Sequence, residues 1–248
     1  MQHCDGNHWQ LPPTDLKLAQ DEVHVWCMAL DQDSALVEQF HQTLDSDEQE
    51  RAAKFYFPKD RQHFIVARGL LRLILGRYLN QAPAQLRFAY NAYGKPSLDI
   101  STSLHFNLSH SKGLALLGVS SDRELGIDLE FIRTDFPFEQ VAKSVFSVPE
   151  QAVLRSLPDS LKPEAFFNAW TRKEAYIKAL GQGLSIPLDQ FDVAFVPGEP
   201  TALLAVRGTW ENAHNWTLQH LKPTPHYAGA IAVAGLGWQL KCWSWVNS

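Results

Sequence analysis

The chain has 248 residues, 45% of them hydrophobic and 20% charged, a balance that predicts a folded protein with a sizeable core rather than a disordered or fibrous one. Its net charge of -5 argues against a general nucleic-acid binder, whose phosphate contacts need a basic excess, so any anion site must be local. Three widely spaced cysteines (Cys4, Cys27, Cys242), no apolar leader at the start and no run near the roughly 18 to 20 apolar residues of a membrane span predict a cytoplasmic protein without disulfides or membrane anchor.

Residues 22–30 are rich in strand formers and predict a first strand. Asp33 is placed to cap a helix, and Ser46 with Gln49 has capping-box spacing for a second, running past Arg51 and Lys54 until Pro58 interrupts it. Residues 59–79 follow as a longer helix with Phe64, Ala67, Leu71 and Ile74 on its core face. Short strands are expected at 86–90, 104–108, 114–119 and 125–130, with Gly94-Lys95-Pro96 as a turn. Helical pieces at 138–146 and 149–157 precede a strong helix over 163–180, ended by Gly181, and strands return at 191–196, 216–221 and 228–234. A long helix, a proline link (Pro83, Pro187) and a strand occur twice, which suggests two similar α+β halves divided near 120–125, although helix-then-strand units are common enough to produce such an echo.

Four passages carry candidate chemistry. In Gly126-Ile127-Asp128-Leu129-Glu130, strand periodicity puts Asp128 and Glu130 on one face while Ile127 and Leu129 turn inward. Paired carboxylates suit magnesium, but they suit a solvated strand end equally well. On the strong helix, Glu174 and Lys178 stand one turn apart, which makes either an ordinary ion pair or a third acid beside a phosphate-facing lysine. His105-Phe106-Asn107-Leu108-Ser109-His110-Ser111 ends a strand in hydroxyl and imidazole donors, and Gly94-Lys95-Pro96 holds one lysine in a rigid turn.

Taken in order, G-K-P, F-N-L-S-H-S, G-I-D-L-E and W-T-R-K-E-A-Y-I-K-A-L-G-Q-G-L resemble the 4'-phosphopantetheinyl transferases of the surfactin-synthetase-activating type, over residues 51–188. The resemblance implies an α+β fold of two similar halves related by a pseudo-twofold, here 1–122 and 123–248, with the active site in the cleft between them. It implies transfer of 4'-phosphopantetheine from coenzyme A to a serine of an apo acyl or peptidyl carrier protein, leaving adenosine 3',5'-bisphosphate, as in fatty acid and polyketide biosynthesis. Carried over by position, Asp128, Glu130 and Glu174 match magnesium ligands, Glu174 doubles as the candidate base and Lys178 matches the lysine near the pyrophosphate. Arg51, Lys95, Ser109 and His110 match residues around the adenosine and its 3'-phosphate, with Asp128 facing the cofactor through the metal. Lys54 and His63 are expected to assist, and Glu48 and Gln49 stand where some relatives carry a further basic residue. A monomer is implied, because both sides of the cleft come from one chain. Carrier docking falls to Arg68, Arg72 and Arg77, or to Lys143 and Arg155. A magnesium-dependent phosphodiester hydrolase and a non-catalytic nucleotide or carrier binder are the readings that this one must beat.

Overall fold

The computed structural model describes residues 7–207 and 213–246. In chain order its first elements are β1 (Trp9–Gln10), β2 (Glu22–Ala29), α1 (Ser34–His41), α2 (Ser46–Ala53), α3 (Pro58–Leu79), β3 (Phe88–Tyr90), β4 (Pro96–Leu98), β5 (Leu104–Ser111) and β6 (Leu114–Ser121). There follow β7 (Leu125–Phe131), α4 (Phe138–Val145), α5 (Val148–Ser156), α6 (Lys162–Leu180), β8 (Phe191–Val193), β9 (Leu203–Val206), β10 (Trp216–Leu221), β11 (Tyr227–Ala234) and β12 (Gln239–Ser244). His3 and Cys4 lie outside the described residues.

The succession β2-α1-α2-α3-β3-β4-β5-β6 recurs as β7-α4-α5-α6-β8-β9-β10-β11, and in both halves the first strand pairs antiparallel with the last, which pairs antiparallel with the one before it. The echo in the sequence is therefore a repeated architecture. One strand breaks the symmetry: β12 runs back and pairs parallel to β2, with β1 outside it, giving the order β1-β12-β2-β6-β5. Residues of the second half thus complete the sheet of the first.

Each half buries one long helix. From α3, Val66, Leu70 and Ile74 share a core with Trp26, Met28 and Leu117, while Phe166, Ala169 and Tyr176 of α6 pack with Ala230 and Ala232 of β11. A buried cation on each helix organises what surrounds it. Arg72 of α3, with no exposed surface, donates to Glu48 Oε2 (2.7 Å), Asp45 Oδ2 (2.6 Å) and the carbonyls of Pro83 (3.1 Å) and Leu86 (3.0 Å). Lys173 of α6, equally buried, contacts Glu150 Oε2 (2.8 Å) and donates to the carbonyls of Leu188 (2.7 Å) and Phe191 (2.5 Å). Glu48 and Glu150 both hold the N3 position of a capping box on the preceding short helix. The same device therefore ties short helix, long helix and the link beyond it in each half.

Several expectations need correction. The capping box of α2 is Asp45 with Glu48, one residue before the predicted Ser46 and Gln49, because the Asp45 carboxylate accepts from Glu48 N while Glu48 reaches back to Asp45 N. Pro58 does not interrupt the second helix, which already ends at Ala53, but opens α3 at its first position, where its missing N–H has no partner to lose. The strand expected from 86 begins at Phe88, since Pro83–Gln85 forms a single 3-10 turn, and the strand at 191 ends at Val193 beside a register shift. The strands β1, β4, β9 and β12 were not anticipated. Arg68 and Arg72 are not a docking patch: both are buried on Glu48, and of that trio only Arg77 is exposed. Among the described residues, no helix is long and apolar enough to cross a membrane.

Candidate active site

β7 has two different neighbours. On one side its backbone pairs with β11, and Ile127 and Leu129 enter the apolar core. On the other side it faces β5, and there the bonds are made by side chains: Ile127 N donates to Asn107 Oδ1 (2.9 Å), Leu129 N to Ser109 Oγ (3.3 Å) and Phe131 N to Ser111 Oγ (3.1 Å). Alternate residues of β5 thus replace the carbonyls of a missing ladder and join the two sheets. Each hydroxyl so engaged turns its proton to an acid, Ser109 to Asp128 Oδ1 (2.8 Å) and Ser111 to Glu130 Oε2 (2.9 Å).

α6 lies against β7 at backbone contact, which Gly126 makes possible. A Cβ there would stand 2.2 Å from both Ala175 O and Ala179 N, so any other residue would push the helix off the strand. This packing brings Glu174 and Lys178 to the acids of β7. The Lys178 ammonium donates to Asp128 Oδ1 (2.5 Å) and Ser109 Oγ (3.2 Å), and it does not close the one-turn ion pair with Glu174.

Burial pushes the Glu174 carboxyl up to about 7, and the negative charges of Asp128 and Glu130 add to the effect while Lys178 opposes it. Glu130 is raised too, first by burial and then by Asp128, against the Ser111 hydrogen bond. The three acids therefore repel one another across a strand and a helix. Asp128 is buried, and its Oδ2 has no hydrogen-bond partner among the described residues. Hard oxygen donors, mutual repulsion and an orphaned buried oxygen fit a divalent cation such as magnesium. As the side chains stand, no three His, Cys, Asp or Glu residues among those described converge tightly enough to grip an ion, and the positive charge on Asp128 is that of Lys178.

The remaining expected residues divide. Ser109 is buried in the acid cluster. His110 lies next to it and is exposed, yet its ring is packed closely enough that desolvation, and then the positive charges of Lys178, His63 and Arg51, hold its imidazole below the usual range. Arg51 is exposed, with its guanidinium over the Phe64 ring, and Lys54 is exposed beside it. His63 bonds Asp31 (2.8 Å). Lys95 stands apart from this group. Its ammonium donates to Glu124 Oε2 (3.0 Å), Leu125 O (3.3 Å) and Ala179 O (2.9 Å), using all three of its protons to hold the turn of the first half on the end of α6. Asn91 adds a bond to Gly181 O (2.7 Å). His105 first and then Lys95 bring the Glu124 carboxyl down to about 2. Glu48, at a position where a further basic residue is expected in some relatives, is the buried partner of Arg68 and Arg72.

Asn107 and Gly126 escaped notice as the residues that join β5 and α6 to β7, and Ser111 stood out in the sequence only as one of the hydroxyl donors ending the strand. Their signal was present: small polar residues at every second position of a strand, Asn107-x-Ser109-x-Ser111, predict a polar row where an apolar one is usual.

Comparison with known proteins matches residues 124–232 to the 4'-phosphopantetheinyl transferase superfamily and residues 31–121 to the N-terminal region of 4'-phosphopantetheinyl transferases. The chain is 44% identical over 238 residues to the 4'-phosphopantetheinyl transferase HetI of Nostoc sp., covering 95% of this chain and 97% of that one. It is 33% identical over 188 residues to a putative 4'-phosphopantetheinyl transferase of Synechocystis sp., covering 75% of each. To the 4'-phosphopantetheinyl transferase Sfp of Bacillus subtilis it is 31% identical over 156 residues, covering 63% of this chain and 68% of Sfp.

Proposed function

This chain belongs to the 4'-phosphopantetheinyl transferases, and from that premise we propose that Asp128, Glu130, Glu174 and Lys178 form its reaction centre, in a cleft between halves 1–122 and 123–248. The enzyme transfers the 4'-phosphopantetheine group of coenzyme A to a serine of an apo acyl or peptidyl carrier protein. The observation that carries the assignment of the centre is the meeting of Glu174 with Asp128 and Glu130: burial and the Asp128 charge raise both glutamates, around an Asp128 oxygen without a hydrogen-bond partner among the described residues.

The serine hydroxyl attacks the β-phosphorus of coenzyme A, the bond to the bridging oxygen breaks, and adenosine 3',5'-bisphosphate leaves. A serine hydroxyl is weakly nucleophilic and needs a base. Glu174, whose carboxyl lies at about 7, takes the proton, directly or through a water. Lys178, an ammonium beside Asp128, offsets the charge gathering on the leaving pyrophosphate oxygen. Asp128, Glu130 and Glu174 are the residues that would hold magnesium, which when bound supplies positive charge to the pyrophosphate oxygens. Arg51 supplies local positive charge for the 3'-phosphate despite the net negative charge, and His110, close enough to feel that charge, offers the phosphate an imidazole N–H, with His63 nearby. Lys95 has a different part, holding the turn of the first half on the end of α6.

Both halves come from one chain, which supports a monomer, and the widely spaced cysteines support a cytoplasmic setting. Incubation with coenzyme A, magnesium and a purified apo-carrier should add about 340 daltons to the carrier, as expected for metal-assisted displacement by its serine. Coenzyme A cleavage at the same rate without carrier would overturn the reading in favour of a hydrolase.

A further inference from the structure

We propose that Ser111 is a positioning residue of the transfer reaction, its hydroxyl aiming the Glu130 carboxylate into the acid site; the proposal rests on the acid-site reading above. The geometry is specific. Ser111 Oγ accepts from Phe131 N at 3.1 Å and donates to Glu130 Oε2 at 2.9 Å. A hydroxyl has one proton, so a lone pair occupied by the backbone N–H directs that proton to the acid. Among the described residues, Ser111 is the group that hydrogen-bonds Glu130. A glutamate on a strand has several rotatable bonds and is repelled here by Asp128, so its direction is set by this contact.

The position of Ser111 is itself firmly held. It ends β5 opposite Leu114, across a tight turn in which Lys112 takes a φ of 51°. Ser109 has the same relation to Asp128, two residues earlier on both strands, which makes the pair of hydroxyls a register between β5 and the acids of β7. Asn107 provides the internal contrast. It bonds Ile127 N in the same row but touches no acid, so it braces the joint without orienting a ligand.

The test compares Ser111→Ala, Ser111→Thr and Asn107→Ala with the wild type by three readouts: binding of Mn2+ alone, from loss of the free-ion electron paramagnetic resonance signal, the Mg2+ concentration for half-maximal turnover, and Tm. Ser111→Ala is expected to weaken Mn2+ binding and raise the Mg2+ requirement by about 10-fold or more, the usual scale for a group that orients a metal ligand. Ser111→Thr should restore both, and Asn107→Ala should lower Tm while leaving both in place. If Ser111→Ala does not fold, Ser111→Cys keeps the volume with a poorer donor and serves the same comparison. Wild-type Mn2+ affinity in Ser111→Ala, or an equal loss in Asn107→Ala, would overturn the proposal. No Mn2+ binding by the wild type would instead bring down the acid-site reading beneath it.

Discussion

The Lys178 ammonium lies 2.5 Å from Asp128 Oδ1, across from the strand that carries the acid, while the other Asp128 oxygen is buried without a hydrogen-bond partner among the described residues. Lys178 thus faces a cluster of three acids, and it competes for Asp128 with any divalent ion that enters. Lys178→Met removes that competitor together with the charge that faces the pyrophosphate. Turnover should fall by about 100-fold, the scale of a lost transition-state charge contact. The Tm gained on adding Mg2+ should be larger than in the wild type. A Mg2+ shift smaller than the wild type's would show that Lys178 does not occupy part of the cation's place.

Gly126→Ala changes no chemical group, yet its Cβ would meet backbone atoms of Ala175 and Ala179 that have no flexible side chain to move aside. Stability should drop by about 1–3 kcal/mol or more from overpacking, measured by urea unfolding. Activity should fall further than stability explains at temperatures where the variant is fully folded, because Glu174 and Lys178 retreat from Asp128. Unchanged kcat in the folded variant would contradict the close-contact argument.

Glu174→Gln separates chemistry from binding. Coenzyme A affinity should stay near the wild type's while turnover falls by about 100-fold or more, the loss expected of a general base.

The same substitution has a stability signature. The folded Glu174 carboxyl lies at about 7 against an ordinary value of 4.5, so between those two pH values the folded state holds the proton more tightly than the unfolded one. Metal-free wild type should therefore lose stability as pH rises through this window, whereas Glu174→Gln should lose less and have the higher Tm at pH 8. Parallel Tm curves for the two proteins would show that Glu174 is not strained by its neighbours.

Lys173 and Glu150 form a buried pair, with Glu150 also bonding Ser147 N and Val193 N. Lys173→Met leaves that carboxylate without its cation and should cost about 3–5 kcal/mol in chemical denaturation. Arg72→Met, its counterpart in the first half, should behave alike. A loss below 1 kcal/mol in both would mean that these hubs do not organise the halves.

Much of the fold was legible because its signals are local. The core faces of α3 and α6, Gly181 in the left-handed conformation at the end of α6, and the strands β2, β7, β10 and β11 follow from spacing and turn chemistry that a short window contains. The strands that escaped, β1, β4, β9 and β12, are two to six residues long; β1 and β12 are held by partners distant in sequence, while β4 and β9 are short pieces paired with the neighbouring β3 and β8. Lys95 shows the same limit within the site: a turn lysine has the same local signature whether it meets a phosphate or, as here, the carbonyls at the end of α6.

Repetition sharpens the point. Aligning the two hairpins at their paired ends, Ser121 with Leu104 and Ala234 with Trp216, places Leu125 on Val23, hence Asp128 on Trp26 and Glu130 on Met28. Aligning Lys173 with Arg72 places Glu174 on Leu73. The first half therefore has apolar residues where the second has its acids, and one architecture yields one acid site.

The residues themselves determined which groups are available: three acids, a lysine, a row of small polar side chains and a glycine, each in an element whose periodicity is written locally. Their meeting was decided in three dimensions, because the distance from Ser111 to Glu130 or from Lys178 to Asp128 depends on how two sheets and a helix pack. Packing is a sum over contacts between residues far apart along the chain, and no short stretch of sequence contains that sum.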